Sequence, residues 1–322
     1  MITMTEIAKL THVSQPTVSR VLNGSQTVAP EIRERVLACA RDHNYQCNAL
    51  AKGLQGSKTQ LLGVLVTDIS NGFFADLAKQ IEAAARKSGY SIILFNSNHN
   101  PQNEQEYLDI ARRYRVDGVL AVPVLDPGEE WQASVKKLDV PIVTITRRAE
   151  GLDSVYVNHG QAGAMVAEHL LSRGFRRFLF IGEDCDEKYT GFRQTLAETD
   201  CGAQTANVVY QDSKQLNHAL AHWLRLAPER GAVFASNDGY ALQTLDALRR
   251  LGVRVPDEVG VIGFDDVSMD AYLNPRLSSV SQPIAQMAQD AVARLLYRIE
   301  HPEPQEVLDR PLSAALAFRE ST

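Results

Sequence analysis

From residue 61 onward the chain alternates apolar runs of strand length with longer segments whose apolar residues recur at helical spacing. The runs are LLGVLVT, YSIILFN, VDGVLAV, VPIVTIT, FRRFLFIG, GAVFAS and VGVIGFD, rich in Val, Ile and Phe and apolar on both parities. Strands of that kind are buried on both faces, so they belong in parallel sheets covered by helices. Helices are predicted over 74–88, 102–115, 160–173, 214–224 and 239–251. Six or more such units are too many for one small sheet, and the run divides near 148–154. Two doubly wound lobes with a cleft between them are expected, with a ligand at the carboxyl ends of the strands.

The first sixty residues follow another rhythm. In TMTEIAKLTHVSQPTVSRVLNGS, residues 3–25, two short helices are joined by a tight turn. Thr3 and Glu6 have capping-box spacing, and Ile7, Ala8 and Leu10 give the first helix an apolar face. Ser14 can cap the second helix, and Pro16 fits its first turn, where amides lack internal partners. Val18, Val21 and Leu22 point inward, which turns Gln15, Thr17, Ser19 and Arg20 outward as short donors and acceptors suited to base edges or phosphates. A third helix is predicted from Pro30 to Asp42, with Ile32, Val36, Leu37 and Ala40 on one face. The following QCNALAKGLQGSKTQ offers Asn48 as a cap and a short stripe of Leu50, Ala51 and Leu54, marginal as an isolated helix.

The 322 residues, 44% apolar and without a long polar tract, are expected to fold almost throughout. No window offers the roughly 20 apolar residues of a membrane span, and MITMTEIAKL lacks the apolar core of a signal peptide. A cytosolic protein with no membrane partner is expected. Cys39, Cys47, Cys185 and Cys201 are scattered without a CxxC pair, which fits reduced thiols. The net charge of −6 alone discourages nucleic-acid binding, but its distribution reverses that. Residues 1–59 carry Lys9, Arg20, Arg33, Arg35, Arg41, Lys52 and Lys58 against Glu6, Glu31, Glu34 and Asp42, a balance of +3 that leaves −9 for the rest. A basic head on an acidic body is the electrostatic footprint of a phosphate-contacting domain joined to a sensing domain. So modest a charge implies dimerisation for tight binding.

The segments VSQPTVSRVLNG, NALAKGL, DISNGFF, SNDGYAL, VPDEVGVIGFDD and LSSVSQP before FREST, in that order, resemble the LacI/GalR family of bacterial transcription repressors across nearly the whole chain. The resemblance implies a small all-α helix-turn-helix head plus an α/β body of two doubly wound parallel-sheet lobes, similar to periplasmic sugar-binding proteins. The implied divisions are a head over 1–46, a hinge over 47–60 and a body over 61–322. The first lobe takes about 61–153 plus 283–302, and the second about 154–280 plus 303–322. A homodimer on a pseudo-palindromic double-stranded operator is implied, with contacts from Thr5, Ser14, Gln15, Pro16, Thr17, Ser19, Arg20 and Asn23. In the hinge, Asn48 and Ala51 join Leu54, which matches the leucine that family members wedge into the minor groove. Cys47 and Gly53 depart from the family pattern, the latter weakening helix propensity by about 1 kcal/mol relative to Ala. No leucine-heptad tail follows FREST, so a dimer rather than a tetramer is expected.

Sugar recognition needs converging carboxylates, amides and guanidinium groups with an aromatic face, because hydroxyl specificity comes from paired buried polar groups. The ends of the predicted strands supply Asp68, Asn71 and Phe73, then Asn98, Arg147, Asn158, Asn237, Asp238 and Asp265, with Gln282 in a crossover. Asp238 and Asp265 could alternatively be helix-capping or loop residues, and Phe73 is balanced between ligand stacking and lobe packing. By resemblance Lys188 stands where most relatives carry a ligand-gripping arginine, and a point charge there keeps a phosphate or carboxylate ligand open. No cofactor or metal is expected and no enzyme. Asp265 and Asp266 are neighbours on an extended strand end and face opposite ways, His218 and His222 lack a third ligand, and no GxSxG, P-loop or GxGxxG occurs. The reading is a repressor of a carbohydrate operon released by a small sugar-type inducer. The alternatives are a corepressor-type regulator, one sensing a sugar phosphate or sugar acid, or, outside the class, a solute-binding protein or a sugar-modifying enzyme.

Overall fold

A computed structural model describes residues 2–22, 25, 27–43, 45, 58–124, 129–199, 204–210, 212–226, 230–303 and 306–322. Two compact units emerge, Met1–Gln60 and Leu61–Thr322. Among the described residues no helix is long and apolar enough to cross a membrane.

The head is built from α1 (Met4–Leu10), α2 (Gln15–Leu22) and α3 (Pro30–Asp42). Ile7, Val18 and Val36 are fully buried at its centre, with Ala8, Val21 and Ala40 around them and Val13, Ile32, Leu37 and Tyr45 packed alongside. The Thr3–Glu6 capping box is formed, with the Thr3 amide donating to Glu6 Oε2 at 2.8 Å and the Glu6 amide to Thr3 Oγ1. Leu10, expected on the apolar face, is 55% exposed because it follows the helix round past the Ile7–Ala8 stripe. The turn is closed by a Schellman pattern: the Val13 amide donates to the Ala8 carbonyl and the His12 amide to that of Lys9. His12 occupies the left-handed position at φ 52° that glycine usually fills. Ser14 then accepts from the Thr17 amide at 3.3 Å and starts α2.

The body holds two six-stranded sheets. The first has the order β11-β5-β4-β3-β1-β2, from β1 (Leu61–Val66), β2 (Ser91–Asn96), β3 (Gly118–Ala121), β4 (Ile142–Thr146), β5 (Asp153–Val157) and β11 (Asp309–Leu312). The second has the order β12-β10-β9-β8-β6-β7, from β6 (Arg177–Ile181), β7 (Gln204–Val208), β8 (Gly231–Ala235), β9 (Val259–Asp265), β10 (Ser278–Ser281) and β12 (Ala315–Ala317). Every pairing is parallel except β10 with β12. The first sheet is covered by α4 (Gly72–Lys87) and α11 (Ile284–Glu300) on one face and by α5 (Pro101–Arg113) and α6 (Glu129–Lys136) on the other. The second lies between α7 (His159–Ser172) with α8 (Glu187–Glu198) and α9 (Ser213–Leu226) with α10 (Asp238–Arg250).

The lobe boundaries differ from the expected ones. Residues 154–157, expected in the second lobe, belong to the first with Asp153, because β5 pairs in parallel with β4 and the buried Thr144 and Ser154 hydroxyls meet at 2.8 Å. Residues 309–312 likewise return to the first sheet as β11 against β5. Buried Asp153 fastens this edge, accepting from Arg298 Nε at 2.7 Å, Arg294 Nη2 at 3.0 Å and the Leu308 amide at 2.7 Å. Burial pushes its carboxyl up, but these donors overrule it and hold the pKa below the ordinary 3.8. The chain thus passes between lobes after Val157, after Ser281 and after Leu312.

Candidate functional site

The carboxyl ends of β1, β4, β6, β8 and β9 open on one cavity of about 800 Å³, lined from both lobes. Asp265 ends β9 at φ 122°, a left-handed backbone that costs an ordinary residue free energy and is held by its surroundings. Gln282 Nε2, on the crossover, donates to Asp265 Oδ1 at 2.7 Å, and the side chain of Asn71 in the first lobe also hydrogen-bonds to it. Burial first, then the charge of Asp238, push the Asp265 carboxyl up to about 8, against the pull of Lys188 and the two amides. At neutral pH it is chiefly protonated. Gln282 Oε1 and Thr67 Oγ1 are buried in the cavity wall with no partner among the described residues.

Lys188 lies in the first turn of α8, whose backbone approaches α7 as closely as two helices can. A Cβ on Gly163 would stand 2.0 Å from the Lys188 carbonyl oxygen, and one on Gly191 would stand 1.9 Å from that of Gly160. So placed, Lys188 Nζ donates to the Ser236 carbonyl at 2.8 Å, lies 3.5 Å from Asp186 Oδ2 and sits 4.5 Å above the Phe264 ring. Its charge is met within the second lobe. His159, the first residue of α7, is edge-on to Phe264 at 5.5 Å. Burial, then Lys188 and Arg147, lower its pKa well below 6.5 and keep it neutral.

Of the residues expected to converge, Asp68, Asn71, Phe73, Arg147, Lys188, Asn237, Asp238, Asp265 and Gln282 line the cavity. Several do so as structure. Asp68 closes a turn by accepting from the Ser70 amide at 2.9 Å, and Asn71 and Asn237 cap α4 and α10. Asp238 is 3% exposed, accepts from Ser279 Oγ at 2.6 Å and from the Val267 amide at 3.0 Å, and so anchors the loop after β9. Phe73, 2% exposed, packs into the first-lobe core. Asn98 and Asn158 do not line the cavity. Asn98 accepts from Asn96 Nδ2 at 2.7 Å within a left-handed turn, and Asn158 caps α7. Their following residues, His99 and His159, take the places in the wall. Asp266 turns away from Asp265 and pairs with Arg319. Tyr210, Tyr240 and Gln243 also line the cavity; Tyr240 lies within SNDGYAL but was not among the expected contacts, and Tyr210 and Gln243 belong to no quoted motif.

In the head, Thr5, Ser14, Gln15, Pro16 and Arg20 are exposed, with Thr17 and Ser19 half-buried on α2. Asn23, Asn48, Ala51, Leu54, Cys47 and Cys201 lie outside the described residues. Cys39 and Cys185 are free thiols.

Residues 3–48 match the family described as bacterial regulatory proteins, lacI family, and residues 167–322 match the periplasmic binding protein-like domain. The ribose operon repressor of Halalkalibacterium halodurans is 30% identical over 330 residues, spanning 100% of this chain and 97% of its own. A LacI family transcriptional regulator from Enterococcus faecium with bound ribose is 28% identical, with a TM-score of 0.70 over 81% of this chain and 98% of its own. The Lac repressor dimer bound to operator and the anti-inducer ONPF, 22% identical, shares the fold at a TM-score of 0.85 over 99% of this chain and 98% of its own. With a helix-turn-helix head and a two-lobed body matched along their length, the chain belongs to the lacI family of bacterial regulatory proteins.

Proposed function

We propose that the chain is a cytoplasmic, homodimeric repressor of a carbohydrate-utilisation operon, released from its operator by a small sugar-type inducer. One observation carries the reading. A helix pair that exposes Gln15, Pro16 and Arg20 shares a chain with a cavity where Asn71 of one lobe bonds to Asp265 of the other. A ligand that competes for Asp265, Gln282 and Asn71 changes the contact holding the lobes at their mouth, and so has differential affinity for two lobe arrangements. The same residues, with Arg147 and His159, are the proposed sugar contacts. Thr5, Ser14, Gln15, Thr17, Ser19, Arg20 and Asn23 are the proposed operator contacts, with Asn48, Ala51 and Leu54 of the hinge. The named ribose-operon and ribose-bound relatives support a sugar effector.

The test begins with a duplex selected from a random pool by the full chain. Fluorescence anisotropy on that duplex with Arg20→Ala should show operator affinity down about five- to 150-fold, about 1–3 kcal/mol. Sugar-induced thermal stabilisation should be unchanged in the same variant. Loss of the sugar response in Arg20→Ala, or operator affinity equal to wild type, would count against the assignment of reading and sensing to separate units.

A further inference from the structure

The cavity has two chemically distinct ends. One is the end of Asp265, Gln282 and His159, the last edge-on to Phe264, where Gln282, 7% exposed, holds a carbonyl oxygen with no partner among the described residues. The other is an annex formed by Tyr210, Tyr240 and Gln243. There the two tyrosine rings meet edge to face at 5.5 Å, and the Tyr210 hydroxyl donates to Gln243 Oε1 at 2.9 Å. Half-buried aromatic faces beside an exposed amide suit a ring with an apolar C–H face and a hydroxyl rim. The volume agrees. About 800 Å³ lies toward the upper end of the ~300–1,000 Å³ that holds drug-sized ligands.

Charge narrows the class further. Seven carboxyl groups line the cavity against two permanent cations, Arg147 and Lys188. The Lys188 ammonium is met by Ser236 and Asp186, and buried His159 is held neutral. Burial and the neighbouring Asp238 push Asp265 up to about 8 and Asp270 up to about 9, which leaves five other carboxyl groups in the lining against the two cations, so an arriving phosphate or carboxylate would add negative charge to a wall already rich in carboxyl groups.

We propose that the effector is a neutral glycoside of two rings, one held at Asp265 and Gln282 and the other laid against Tyr240 and Tyr210. The proposal rests on the sugar-effector reading and goes beyond it in size and charge. Calorimetric titration of the full chain tests it with glucose, galactose and ribose, with cellobiose, maltose, lactose, melibiose, trehalose and arbutin, and with glucose 6-phosphate and gluconate. One of the two-ring probes should bind at least tenfold tighter than any single-ring probe. Tyr240→Ala and, independently, the surface change Gln243→Ala should weaken that probe about tenfold and single-ring probes less than twofold. Ribose or a hexose binding as tightly as the best two-ring probe would overturn the two-ring assignment and leave the sugar reading standing. Tightest binding by the phosphate or the acid would overturn neutrality. Binding by none of the probes would overturn the sugar reading itself, and this inference with it.

Discussion

Asp265 combines a left-handed backbone, a buried side chain and a carboxyl pushed up to about 8. Below the ordinary 3.8 both folded and unfolded chains hold this proton, and its contribution to stability is fully present. As pH rises toward 8 the unfolded chain releases the proton while the folded chain keeps it, so that stability is lost, at up to about 1.4 kcal/mol per pH unit. Asp265→Asn removes this titration while keeping the shape. Melting of the unliganded variant should match wild type only below the ordinary 3.8 and exceed it increasingly as pH rises to 8, with a residual slope from Asp270; a lower melting temperature at pH 8 would contradict the protonated state. In the head, His12 holds the left-handed position of the Schellman turn. His12→Gly should relieve about 1 kcal/mol of strain, seen as slower hydrogen exchange of the α2 amides in the full chain, whereas faster exchange would mean that the imidazole contributes more than its backbone costs.

At the scale of elements, the closeness of α7 and α8 is set by two missing side chains. Gly163→Ala would drive a methyl into the Lys188 carbonyl, and separating the helices should cost about 2–3 kcal/mol. Thermal denaturation checks this, and an unchanged midpoint would show that the pair can part freely. Most strands were legible because burial on both faces leaves an unbroken apolar run. The strand β10, SSVS, was not, although Ser278 and Ser279 are wholly buried. Its Ser279 and Ser278 hydroxyls are satisfied by Asp238 and Thr322, and the Ser278 amide donates to Ser321 Oγ, all distant partners that no local pattern reveals. β5 was missed for the same reason, since Asp153 and Ser154 find their partners on α11 and β4. Within the site, asparagines at strand ends read as ligand amides, yet Asn158 is spent capping a helix and His159 after it faces the cavity. Asp265 and Gln282 were legible because their position follows from the strand order, whereas Tyr210 and Tyr240 needed β6, β7 and β8 set side by side.

Across the body, the two sheets are built from interleaved stretches of chain, since α11 and β11 return to the first lobe after the second has been nearly completed. On the proposed roles of Arg20 and Asp265, effector and operator functions should separate by point substitution, whereas the interleaving means that the two lobes do not separate by cutting. A fragment ending at Val157 lacks the helix that carries Arg294 and Arg298, and would leave Asp153 buried without either cation. A stop codon just past Ser281 removes α11 and β11 from the first lobe and β12 from the second in one stroke. For the geneticist this means that late truncations should behave as losses of the whole sensor rather than of its last segment. For the engineer it means that a solitary first lobe must be made by joining 61–157 to 284–312 through a new linker.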